Sequence, residues 1–170
     1  MKTLKRIACI LILALSIVAC KSDDDNGGDT QGDVGSFTAN IAGTNFSGDV
    51  VALATETNAG PNTILRLQAS DANGKALLIL LNAFDGPGTY EISSDNTIAN
   101  TASYTETNVD NPQASPTWAA PYADSGKVGE VTISEKTDTT VKGSFNFTGK
   151  EQNGTTFKEI TNGQFNVEIQ

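Results

Sequence analysis

Side chains able to do covalent or acid–base chemistry are few in this chain. It has no histidine, and its two cysteines, Cys9 and Cys20, both fall within the first 20 of 170 residues. Beyond residue 20 this removes Cys–His and Ser–His–Asp catalysis, thiolate redox chemistry and zinc held by sulfur or imidazole. Carboxylate chemistry of the glycosidase kind remains, with two acids facing each other across about 5–9.5 Å. Its candidates are Glu91, Asp95, Glu106 and Asp110. Residues 35–170 hold fifteen acids against seven bases, and acids in such a body are solvated surface groups first. The expectation is a protein that is not an enzyme, with a carboxylate-based glycan hydrolase as the minor alternative.

Metal chemistry is equally thin. Asp71, Asn73 and Gly74 imitate the start of a calcium loop, but Lys75, Leu77, Ile79 and Asn82 stand where further ligands are needed. A strand cannot wrap an ion in that way, so this is a hairpin turn. Asp95, Asp110 and Asp124 are the acids left for a weak calcium site in loops, and no other cofactor is expected. The only functional hint from residue type is Trp118 with Tyr122, in a stretch that also holds Pro112, Pro116 and Pro121. Two such rings can present flat apolar faces to a sugar or peptide, as aromatic binding anchors do. Alternatively the tryptophan folds inward and caps an open end of the core, where burial contributes about 2–3 kcal/mol.

The elements that position these residues are strands. Apolar residues alternate, or run for five to eight positions between Gly, Asn and Asp turns, and no stretch keeps a helical period. Phe37, Ala39 and Ile41 alternate; 46–53 reads as a strand, 56–61 as a loop, and Ile64, Leu65 and Leu67 as the start of the next strand. Asp71-Ala72-Asn73-Gly74 is a tight hairpin signal. The run 75–81 is the most hydrophobic strand and is expected to be central and apolar on both sides. After a turn at 85–88 come strands near 89–92 and 99–105. Residues 108–124 read as a long loop, because proline at that density excludes a central strand. The remainder alternates regularly around turns at 138, 152–154 and 161–163. The reading is an all-β domain, an antiparallel β-sandwich or flattened up-and-down barrel of about eight to ten strands. Its expected core contains Phe37, Ile41, Leu78, Leu80, Val131, Ile133, Phe145, Phe147, Phe165 and Val167, and the 108–124 loop is where the chain would cross between sheets.

The N-terminus bears on address rather than chemistry. Lys2, Lys5 and Arg6 precede a 13-residue, mostly apolar run, 7–19. That is too short for the roughly 20 residues needed to span a bilayer, and it reads as an export signal. Its end, Ile17-Val18-Ala19-Cys20, resembles the lipobox of bacterial lipoproteins. The resemblance implies cleavage before Cys20 and acylation of its thiol and amino group, and two or more acyl chains give a stable anchor where one does not. Lys21-Ser22-Asp23-Asp24-Asp25 follows, then a Gly-rich polar stretch with no apolar residue before Val34. Its composition is that of a disordered acidic tether, and its charge repels it from an anionic membrane surface. The organisation is thus a signal over 1–19, an acylated cysteine and tether over 20–35, and a single domain over 36–170. The whole chain carries 11 Lys+Arg and 20 Asp+Glu. Scattered bases in such excess acid exclude a nucleic-acid partner, which needs clustered cations to release counterions.

Several segments together carry a family likeness: Phe37-x-Ala39-x-Ile41-x-Gly43-x-x-Phe46, Gly88-Thr89-Tyr90, Gly126-x-Val128-x-x-Val131-x-Ile133, Val141-x-Gly143-x-Phe145-x-Phe147 and Ile160-Thr161-Asn162-Gly163-x-Phe165-x-Val167. In this order they resemble a family of small Bacteroidota lipoproteins of unknown function, in which a tryptophan usually stands at the position of Phe46. The resemblance implies a β domain outside the cytoplasm, and it makes the Ser-Asp-Asp-Asp run similar to the tract that sends such lipoproteins to the cell surface. The functional expectation is a lipid-anchored outer-membrane protein facing the exterior. It would act as a non-catalytic binding or accessory module for a glycan or protein, or alternatively as a structural envelope lipoprotein with no small-molecule ligand.

Overall fold

Period-two alternation becomes strand nearly everywhere it occurs. The computed structural model describes residues 32–170. In chain order its strands are β1 (Ser36–Ile41), β2 (Thr44–Ser47), β3 (Val51–Ala59), β4 (Asn62–Ser70), β5 (Lys75–Leu81), β6 (Gly88–Ser93), β7 (Thr101–Glu106), β8 (Thr117–Ala120), β9 (Lys127–Lys136), β10 (Thr140–Glu151) and β11 (Phe157–Ile169). The only helical element among the described residues is a three-residue 3-10 turn, Pro112–Ala114, and no helix is long and apolar enough to cross a membrane. Cys20 and the Lys21-Ser22-Asp23-Asp24-Asp25 tract lie outside the described residues.

The strands form one sheet that closes on itself as a flattened barrel. One layer runs β2-β1-β11-β10-β9-β6 and the other β3-β4-β5-β7-β8. Two short seams join them: Glu168 and Ile169 of β11 run parallel to Leu53 and Ala54 of β3, and Lys150 and Glu151 of β10 pair with Ala119 and Trp118 of β8. Because β10 and β11 are antiparallel, the seams lie at opposite ends. At one end are the 137–140 turn, the C-terminus, and residues 32–35, where Gly35 N–H donates to Asn166 O and Asn166 Nδ2 donates to Gly32 O. At the other end are the β10–β11 hairpin, the β4–β5 turn and the 107–116 loop.

The all-β flattened barrel is as expected, and four details correct the sequence reading. The described residues hold eleven strands rather than eight to ten, because 46–53 is divided between β2 and β3 and 108–124 contains β8, while 56–59, read as loop, belongs to β3. The prolines bracket β8 without entering it, so Thr117–Ala120 can pair on both edges. The order is not simply up-and-down: β6 pairs with β9 instead of its chain neighbours, and β11–β3 is parallel. The 161–163 turn is a bulge inside β11, where Thr161 and Asn162 oppose the single Asn146 and Asn162 takes φ 50°. Strands on both sides of β11 continue past this point, so the Asn-Gly signal bends the strand rather than reversing it. Gly163 is required there, since an added Cβ would lie 2.6 Å from the Phe145 ring.

The core is one continuous cluster. The first layer contributes large rings, with Phe37, Phe145 and Phe165 mutually packed at 5.2–6.3 Å between centroids. The second offers leucines with small Ala54, Ala69, Ala102 and Ala120, and large side chains against small ones let the layers interdigitate. Of the expected core, Leu78 and Leu80 are corrected. Leu77, Ile79 and Leu81 point inward, leaving Leu78 and Leu80 half-buried on the outer face. An apolar run hides its own parity, and pairing with Tyr104 and Ala102 of β7 sets it.

Candidate functional site

Trp118 is 6% exposed and caps the core, so its ring presents no open face to solvent. In β8 it sits opposite Tyr104 and stacks on it, with centroids 5.8 Å apart and 26° between planes. The indole Nε1 donates to Thr156 Oγ1 at 2.9 Å, and that hydroxyl donates to Glu151 Oε2 at 2.7 Å. Lys158 Nζ lies 4.0 Å from the Trp118 ring centroid and donates to the Glu106 carboxylate. Gly149 permits the approach of β10, because a Cβ there would meet the Trp118 backbone at 2.9 Å.

Glu106 is therefore committed to this cap. Burial pushes its carboxyl up, but hydrogen bonds from Lys158 and Tyr104 outweigh this and hold it below the ordinary value. Burial, with Glu106 alongside, drives the Tyr104 phenol well above its usual value. Glu91 projects from the outer face of the other layer and pairs with Lys127 at 3.0 Å. Glu91 and Glu106 thus do not face each other across a substrate. Asp110 lies on the β7–β8 loop. Asp95 and Asp124 lie on loops joined by hydrogen bonds between Ser94 and Gly126. Among the described residues no three acidic side chains converge into a metal-sized group. Asp71 Oδ1 accepts from the N–H groups of Asn73 and Lys75, which makes the hairpin turn expected there.

The ring that does reach solvent beside Tyr122 is Phe157, at 55% exposure. The two meet edge to face with centroids 5.6 Å apart, and Lys150 Nζ lies 6.0 Å from the Tyr122 ring centroid. Residues 121–126 carry the chain from β8 to β9 and lay Tyr122 over the β10–β11 pair, where Lys150 stands opposite Phe157. Two shallow hollows, of about 320 and 220 Å³, adjoin this spot and share Glu151 and Gln152. The larger is walled by Tyr122, Pro121 and Lys150, and the smaller by Gln113, Pro116 and Asn153. The hollows combine one ring, Tyr122, with amides, one ammonium and one carboxylate, and Phe157 meets that ring from outside their lining.

Sequence reasoning missed Phe157 because of the bulge. Read as a turn, 161–163 carries no parity from Phe165 back to Phe157, whereas strict period two through one continuous strand would face Phe157 inward. The extra residue at Asn162 reverses the parity, so Ile160 and Lys158 point in and Phe157 points out.

No curated protein matches the chain, and no solved structure matches it. Residues 35–167 match DUF6252, a domain of unknown function. That span covers the barrel from the last residue before β1 into β11, and by it the chain belongs to the DUF6252 family.

Proposed function

We propose that this is an outer-membrane lipoprotein, acylated on Cys20 and displayed toward the exterior through the Lys21-Ser22-Asp23-Asp24-Asp25 tract, whose β domain is a non-catalytic binding or accessory module. The observation that supports a binding role is exposed Phe157 packed edge to face on half-buried Tyr122, which walls the larger lobe of the two-lobed cleft. Paired rings at a hollow are less ordinary than single exposed apolar residues. Their position fits display: Asn166, where residues 32–35 are tied down, stands nine positions along β11 from Phe157. At ~3.3 Å per residue the cleft lies roughly 30 Å from the point at which the tether reaches the domain. The anchor is thus attached at the opposite end of the domain from the cleft.

The burial of Trp118 favours a second reading, a structural envelope lipoprotein, since it leaves the ring pair as the only aromatic argument for a ligand. Glycan and peptide arrays probed with the full-length chain separate the two. The binding reading expects hits that Phe157→Ala abolishes while costing no more than about 1 kcal/mol of stability. Hits that survive both Phe157→Ala and Tyr122→Ala would remove the cleft from the account, and silent arrays would favour the structural reading.

A further inference from the structure

We infer that the outer face of the β2-β1-β11-β10-β9-β6 layer is a second binding surface, centred on Asn162, for a neutral polyhydroxylated chain: a glycan without acidic sugars. It is separate from the Tyr122–Phe157 cleft and does not depend on it. Two depressions of about 410 and 390 Å³ lie on this face, and Asn162 lines both. One is flanked by the β1–β2 hairpin through Asn40 and Asn45, the other by β10 through Ser144 and Asn146. They meet where the bulge interrupts the register of β11 with both neighbours, between Thr38 and Asn40 on one side and Phe145 and Phe147 on the other. Asn162 is held there at φ 50°, a left-handed conformation that disfavours side chains but that asparagine tolerates. A bulge of this kind re-aims a side chain out of the pleat.

The chemistry of the lining selects the ligand. Neither depression is lined by Lys or Arg, so an anion would find no counter-charge in a chain of net charge −9. The only carboxylate, Glu130, is already paired with Lys127 at 2.9 Å. A protein ligand would want an exposed aromatic or aliphatic anchor, and the large apolar residues here, Phe46 and Phe145, are buried. An extended peptide adds to a strand edge, whereas this surface is the face of a sheet. What remains is amide and hydroxyl, groups that both donate and accept and so complement sugar hydroxyls. Thr38, Ser144, Asn146 and Asn162 have no side-chain hydrogen-bond partner among the described residues. Strands lie ~4.8 Å apart, so a chain crossing β1, β11, β10 and β9 meets polar side chains from each in turn.

The test titrates the full-length chain with the neutral oligosaccharides cellohexaose, xylohexaose and mannohexaose, and with trigalacturonate as the acidic comparison. Backbone amide shifts provide the readout. At least one neutral hexaose should perturb the amides of Asn146, Asn162 and Gln164, with little change on adding salt. Asn162→Gly keeps the left-handed backbone while deleting the amide, and should weaken that binding ~10-fold per hydrogen bond lost. Asn146→Ala, at a position with no special backbone demand, should do the same with an unchanged unfolding midpoint, and Phe157→Ala should have no effect. The inference is overturned if no neutral hexaose shifts these amides at millimolar concentration, if both amide variants bind as wild type, or if trigalacturonate binds more tightly. Shifts confined to Tyr122 and Phe157 would also overturn it while leaving the cleft reading intact.

Discussion

Replacing Trp118 by alanine separates a core cap from a ligand platform. The ring is 6% exposed, stacked on Tyr104 at 5.8 Å, bonded through Nε1 to Thr156 and covered by Lys158 at 4.0 Å. Truncating a large buried aromatic costs about 3–5 kcal/mol, because transfer free energy is lost and the cavity closes only in part. Glycine at 149 already brings the β10 backbone against β8, so there is no side chain on that side to collapse into the gap. We therefore expect about 4 kcal/mol, a large share of the roughly 5–15 kcal/mol that stabilises a domain. For a barrel of this size that lowers the thermal midpoint by ~12–20 °C. Urea unfolding followed by circular dichroism should show a lower midpoint at unchanged slope, meaning lost stability without a different unfolded state. Phe157→Ala, at a half-exposed site, should cost about 1 kcal/mol or less. A Trp118→Ala cost below ~1 kcal/mol would refute the cap.

Three further outcomes follow from other parts of the molecule. Glu106 has its carboxyl held below the ordinary 4.5, so the stability it supplies is present above that value and disappears as pH falls through the lower folded-state value. The stability gap between wild type and Glu106→Gln should thus be constant near neutrality and close in acid; a gap that widens in acid would reverse the assigned sign. Ala42 sits at φ 48° in the β1–β2 turn ahead of Gly43, and Ala42→Gly should stabilise by up to ~1 kcal/mol by relieving left-handed strain, which thermal unfolding would register. Cys20→Ala should abolish palmitate labelling, and equal labelling of wild type and variant would refute acylation at that residue.

The fold class was legible because inward positions on β1, β9, β10 and the end of β11 repeat at period two with large side chains, and Phe37, Val131, Phe145 and Phe165 are all in the core. Topology was less legible. The parallel β11–β3 seam rests on two residue pairs, and β6 finds β9 across thirty or more residues. Neither leaves a local pattern. Leu78 and Leu80 were misassigned because an uninterrupted apolar run carries no parity. The site fared worse for two particular reasons. Prolines 116 and 121 disguised a four-residue strand as loop, concealing that Trp118 pairs with Tyr104. The Asn162-Gly163 bulge then turned Phe157 outward, a reversal visible only once β10 and β1 were known to continue alongside.

The central claim, that the domain holds its ligand at the end remote from the tether, is tested most directly by mapping a bound ligand. With an array-identified glycan or peptide titrated into the full-length chain, amide shifts should appear at Ala119–Tyr122 and Lys150–Phe157 and vanish there in Phe157→Ala, independently of any shifts around Asn162. A footprint centred instead on residues 33–35, 82–87 and 137–139, at the tether end, would contradict it.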